Sequence, residues 1–239
     1  MSEPRPRRSL FWLRWVLANL AAELLGLGAA AGAGVLLASE LGQPGDWGAT
    51  ISFAVVMVLF GAFEGVLVGI GQRWAMQSTF DELPWGYWIA ATGSGALAAW
   101  ILGMAPSTWM SLAADVSQAA EVSDAMQLLL AVPLGAVAGL VLAYPQFLVL
   151  RRYLKRSWRW LPANALAWAL GMPLIFLGAG TVAPGMSTQG IVLRVLGAIA
   201  GAGAVVGAVH GWALMRMVAG RSPNVASAQS RAPAPPEPT

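Results

Sequence analysis

The chain has 239 residues, 57% of them hydrophobic and 10% charged, where a soluble domain carries about 25% charged residues. That composition, with a mean hydropathy of +0.64, excludes a water-soluble globule, and the absence of Cys with a single His excludes disulfides, thiolate or multi-histidine metal sites and Cys nucleophiles. The net charge of +3 comes from Arg residues clustered beside apolar stretches, which points to membrane topology and away from nucleic acid.

A hydrocarbon core about 30 Å thick takes roughly 20 helical residues to cross. Six stretches qualify, at about 12–38, 48–76, 85–106, 125–150, 158–182 and 188–218. The reading is therefore all-α: a polytopic membrane protein with an N-terminal arm over 1–11, a six-helix domain over 12–218 and a disordered tail over 219–239, which is rich in Pro, Ser and Ala.

The first span follows Arg5, Arg7 and Arg8 and is too long for the apolar region of a signal peptide. It carries Trp15, then Asn19 four residues on, then Glu23. A connection with Glu40 and Asp46 leads to the second span, which holds Gly61, Glu64, Gly65, Gly69 and Gln72. Arg73, Asp81 and Glu82 lie at or beyond its end. The third span repeats the Trp-to-polar spacing with Trp88 and Thr92. Beyond it, 110–123 places Met110, Leu112 and Ala113 among acids, as a short interfacial helix would.

The fourth span repeats the small-residue spacing with Gly135, Gly139, Ala143 and Gln146. It ends in a basic loop of Arg151, Arg152, Lys155, Arg156 and Arg159, followed by Trp160 and Asn164 of the fifth span. The run from Gly139 through Gln146 to Arg152, with Trp160 and Asn164 after it, resembles uncharacterised multipass bacterial membrane proteins with Gly-rich, Gln-ended helices ahead of a basic loop. That resemblance implies the helical fold and carries no activity. The sixth span holds Arg194, placed to snorkel to the far surface, then Gly203, Gly207, His210, Gly211 and Leu214.

The order of these features suggests three tandem two-helix hairpins, over about 1–80, 81–154 and 155–218. The Trp residues recur about 72 positions apart and the glycine motifs at roughly 68 to 74. Repeats that all run in one direction imply a pseudo-three-fold axis along the membrane normal. At about 100° per residue each glycine set forms one narrow stripe, which lets helix backbones approach closely. The stripes are expected to meet neighbouring helices, most simply one another. Gln72, Gln146, Asn19, Thr92 and Asn164 would then hydrogen-bond between helices. The basic arm, the Arg-rich loop after the fourth span and the basic C-terminal end put both termini in the cytoplasm of a bacterial inner membrane. Trp12, Trp15, Trp74, Trp85, Trp88, Trp158 and Trp160 would form an interfacial belt on that side, with Trp47 and Trp109 near the other.

Few residues offer chemistry. Glu23 and Glu64 lie near mid-membrane and do not recur, Trp168 and Ala138 standing at the matching positions. A carboxylate pair there suits a cation or a proton relay. His210, beside the glycine stripe, is placed to pair with Glu64 or to ligate a flat macrocycle such as heme or chlorophyll. No Gly-x-Ser-x-Gly, HExxH or Walker loop occurs, nor the paired Asn-Pro-Ala boxes of aquaporins or the boxes of mitochondrial carriers. The sequence thus suggests a non-enzymatic membrane subunit or scaffold packing against partner membrane proteins, with lipid, carotenoid, pigment or heme as possible cargo. The alternative is a small-solute or ion transporter or channel using Glu23, Glu64, Gln72, Gln146 and His210.

Overall fold

The computed structural model describes residues 5–41, 47–113 and 123–219. Residues 1–4, the tail from 220 onward and 114–122, most of the expected interfacial helix, lie outside the described residues. The described chain is helical, with no β-strand. It forms α1 (Arg5–Leu41), α2 (Trp47–Met76), α3 (Trp85–Ala113), α4 (Asp124–Leu150), α5 (Trp160–Gly180) and α6 (Thr188–Val218). A 3-10 turn, Ser157–Arg159, precedes α5. All six α-helices are long and apolar enough to cross a membrane. The expected boundaries hold within a few residues except in α1, which begins inside the expected arm, and α3, which runs on to Ala113.

Local chemistry explains several helix ends. Ser123 caps α4 by accepting from the Met126 amide, and Ser187 caps α6 by accepting from Gly190. Gly185, at φ 82°, takes the left-handed turn before α6, where a side chain would be strained. Pro106, Pro133, Pro145 and Pro173 lie inside helices. Neighbouring helices in a bundle can re-satisfy the backbone groups that proline frees.

Each helix packs on its sequence neighbours, and α6 closes on α1, so the six form a ring. Neighbours run antiparallel: Gly26 of α1 meets Glu64 near the middle of α2, and Gly34 meets Met57 nearer its start. The start of α1 meets the end of α6, where the Trp12 indole donates to the Ala208 carbonyl over 3.1 Å. Both described termini therefore share one end, called here the termini end.

The glycine stripes line this ring, though they do not meet one another as expected. A Cβ on Gly61, Gly65 or Gly69 would strike α3 at Trp100, Ala96 or Ile89. On Gly135 or Gly139 it would strike the Trp168 or Asn164 carbonyl of α5. On Gly203, Gly207 or Gly211 it would strike Glu23, Asn19 or Trp15 of α1. Every stripe of an even helix thus beds on the odd helix beside it. Short connections make consecutive helices neighbours, which keeps α2, α4 and α6 apart.

Candidate functional site

The termini end is plugged by indoles. Trp15, Trp88 and Trp160 are fully buried, with Trp160 edge-on to both others at centroid distances of 6.1 and 6.3 Å. They were expected in the interfacial belt; instead they point into the ring, while Trp74, Trp85 and Trp158 are exposed. Met76, Phe80, Leu83, Leu150, Leu154, Leu214 and Met217 complete the plug. Arg73 is buried there too, its Nε donating to the Leu83 carbonyl and its guanidinium over the Trp85 ring.

A hydrogen-bonded network sits directly inside the plug. Asn19, Thr92 and Asn164 each donate to the carbonyl of the Trp four residues earlier, at 2.8, 2.9 and 2.9 Å. Gln72 donates to Asn19 Oδ1 and accepts from the Trp88 indole. Gln146 donates to Thr92 Oγ1 and accepts from the Trp160 indole. A 3.1 Å bond from Gln146 Nε2 to Gln72 Oε1 joins the two sets. At the corresponding place on α6 stands Leu214, which has no polar group to offer, and the buried Trp15 indole nitrogen has no partner. Sequence spacing marks these amides and the hydroxyl, but the bond given by Asn164 stays within α5 and does not cross between helices as expected.

Farther from the termini, Glu23 and Glu64 come together. Both are buried, at 2% and 5% exposure, with their carboxyls in contact. The Trp100 indole donates to Glu64 Oε2 over 2.8 Å, and Glu23 Oε2 has no partner. Trp100 is the residue that the sequence did not reveal: no repeat or periodicity links it to a carboxylate 36 positions away.

His210 is buried, with both ring nitrogens unpartnered and its ring 5.1 Å from that of Trp160. Two expectations for it need correction. It makes no hydrogen bond to Glu64, its two ring nitrogens being without a partner, although both residues line the same central cavity. Nor does the glycine stripe beside it leave room for a flat macrocycle, because Trp15, Asn19 and Glu23 fill the Gly203, Gly207 and Gly211 stripe. Arg194 is exposed, as a snorkelling side chain should be.

Two cavities meet at Glu64. A central one of about 20 Å³, room for roughly one water, is lined by Asn19, Glu23, Glu64, Gln72, Gln146 and His210 among others. A larger crevice of about 380 Å³ lies among α3, α4 and α5 and ends on Glu64. Glu64, Ala96, Leu142 and Trp168 form the wall that the two share. Among the described residues no group of three or more His, Asp or Glu is arranged to hold a metal. Compared with family models, curated proteins and solved structures, the chain matches none.

Proposed function

We propose that this protein is a small-solute or ion transporter whose substrate site is the Glu23–Glu64 pair. The supporting observation is that two carboxyls meet at mid-span in a bundle where a charge is costly, Glu64 at the end of a crevice of ligand size and Glu23, with one oxygen unpartnered, on the small cavity behind it. A carboxyl pair retained only for packing would be replaceable by apolar residues without loss. The plug at the termini end closes one side of the site while the crevice leaves another accessible. That combination suits one state of an alternating-access cycle.

The ring is read as three tandem hairpins, α1–α2, α3–α4 and α5–α6, about a pseudo-three-fold axis. This is supported by the same Trp-carbonyl bond in α1, α3 and α5, and by the matching roles of Gln72 and Gln146. Leu214 then marks an arm of the network that has been lost, and Glu23 and Glu64 mark the hairpin that departs most from the repeat. Both termini are assigned to the cytoplasm of a bacterial inner membrane on the Arg distribution. No catalytic step is assigned.

The scaffold reading draws on the density of glycine, and the stripes bed on the chain's own helices. Reconstitution separates the two readings. In proteoliposomes on a solid-supported electrode, pulses of cationic solutes should produce charge movement that Glu64→Gln abolishes. No current from any solute, with a stoichiometric membrane protein copurifying in mild detergent, would overturn transport and restore the scaffold.

A further inference from the structure

The crevice has a chemistry of its own. Its walls are hydrocarbon and indole, with Trp100, Gly103, Val137, Leu142, Trp168 and Met172 prominent, and Glu64 supplies the carboxyl. Among the described residues no Lys or Arg lines either cavity, so none of them supplies the two carboxyls with a countercharge. The seam between α3 and α4 is the loosest in the ring, and the half-exposed Leu102, Leu134 and Val137 frame the mouth. A Cβ on Gly103 would meet nothing there.

Three physical requirements narrow the occupant. A carboxyl pair in low dielectric is neutralised either by protonation or by a cation, whose Coulomb attraction is much stronger there than in water. A bare metal ion needs six or more oxygens for Ca²⁺ or Mg²⁺, and the walls offer hydrocarbon in their place. Indole faces attract alkylated and aromatic ammonium groups through cation–π contact, and Trp100 and Trp168 both lie at the Glu64 end of the crevice. At about 380 Å³ the space falls within the roughly 300–1,000 Å³ range of small-molecule sites.

We infer that the crevice binds a monovalent organic cation with an apolar or aromatic body, its charged end on Glu64 between Trp100 and Trp168 and its body reaching back toward the α3–α4 mouth. Access is lateral, through the α3–α4 mouth framed by the outward-facing Leu102, Leu134 and Val137. This rests on the transport reading of the same site and names its substrate class. Glu23, just behind Glu64, supplies the second carboxyl that holds the charge once the ligand has displaced the Trp100 bond.

The test is isothermal titration of the purified full chain in nanodiscs with benzyltrimethylammonium, using neopentylbenzene, its uncharged isostere, as competitor. Saturable binding of about one ligand per chain is expected. Glu64→Gln should weaken it at least tenfold, and neopentylbenzene should not compete. Val137→Trp, a change at the lipid-facing mouth that fills the crevice without touching the carboxyls, should abolish binding while the circular dichroism and elution volume stay those of the parent. The inference is overturned by absence of saturable binding to the folded parent, by equal competition from the neutral isostere (an apolar or lipid pocket only), or by undiminished binding in folded Glu64→Gln. Binding without charge movement in proteoliposomes would remove transport and leave the site. Charge movement of another solute, lost in Glu64→Gln without any benzyltrimethylammonium binding, would remove the cation site and leave transport.

Discussion

Gln72 and Gln146 are buried, and each makes three hydrogen bonds. Removing such a group costs through the partners it strands. An unsatisfied buried donor or acceptor costs about 1–3 kcal/mol in water-soluble proteins, and hydrogen bonds between membrane helices average nearer 0.6. Gln72→Leu strands the Trp88 indole and Asn19 Oδ1, so a loss on the order of 2 kcal/mol is expected, read as a lower Tm in detergent. The converse change belongs to α6. Leu214→Gln would give the unpartnered Trp15 indole an acceptor, and should raise stability by roughly 1 kcal/mol. In a Trp15→Phe background that gain should vanish; an equal gain there would refute the pairing. How legible these residues were depended on spacing. The polar residue four positions after each Trp is visible in the sequence, and so are both glutamines. The inward aim of Trp15, Trp88 and Trp160 was not, because an indole near a helix end suits a lipid interface equally well. Trp100 left no trace, since its bond to Glu64 is set by the lateral position of two helices and by no local pattern.

At the scale of the helix, the small-residue stripes decide how closely backbones approach. At Gly139 a methyl group would meet the backbone of Asn164 and Ala165, which cannot rotate away as a side chain can. Gly139→Ala should therefore push α4 from α5 and cost about 1–3 kcal/mol, the usual penalty of overpacking. Gly197 has open space around it, so Gly197→Ala should leave Tm unchanged or raise it slightly through helix propensity. Equal effects at the two positions, measured by thermal denaturation in the same detergent, would show that the stripe does not govern packing. Periodicity alone marks these stripes but not their partners. Nothing in a spacing of four says whether a stripe faces another stripe or the odd helix next to it; the short connections decide that.

At the scale of the molecule, the span count and boundaries were legible because each span is a long apolar run, and the ring was not, because closure depends on a contact between the first and last helices. The orientation proposed from the Arg distribution has a direct check. The chain has no Cys, so one introduced Cys is a unique label. Lys155 and Pro184 are both exposed, before and after α5. In intact spheroplasts a membrane-impermeant maleimide should label Pro184→Cys and reach Lys155→Cys only after permeabilisation. The reverse pattern would invert the topology and place the indole plug on the outer side.

The α1–α6 contact also bears on biogenesis. The bond from Trp12 to Ala208 spans 196 positions, so α1 leaves the ribosome and enters the bilayer long before the helix that covers it exists. Through that interval the faces of Asn19 and Glu23 that later rest on Gly207 and Gly203 stand against acyl chains or against the insertion machinery. Nascent chains truncated before α6 should consequently remain crosslinkable to the insertase through α1, and release should follow only when the last helix arrives.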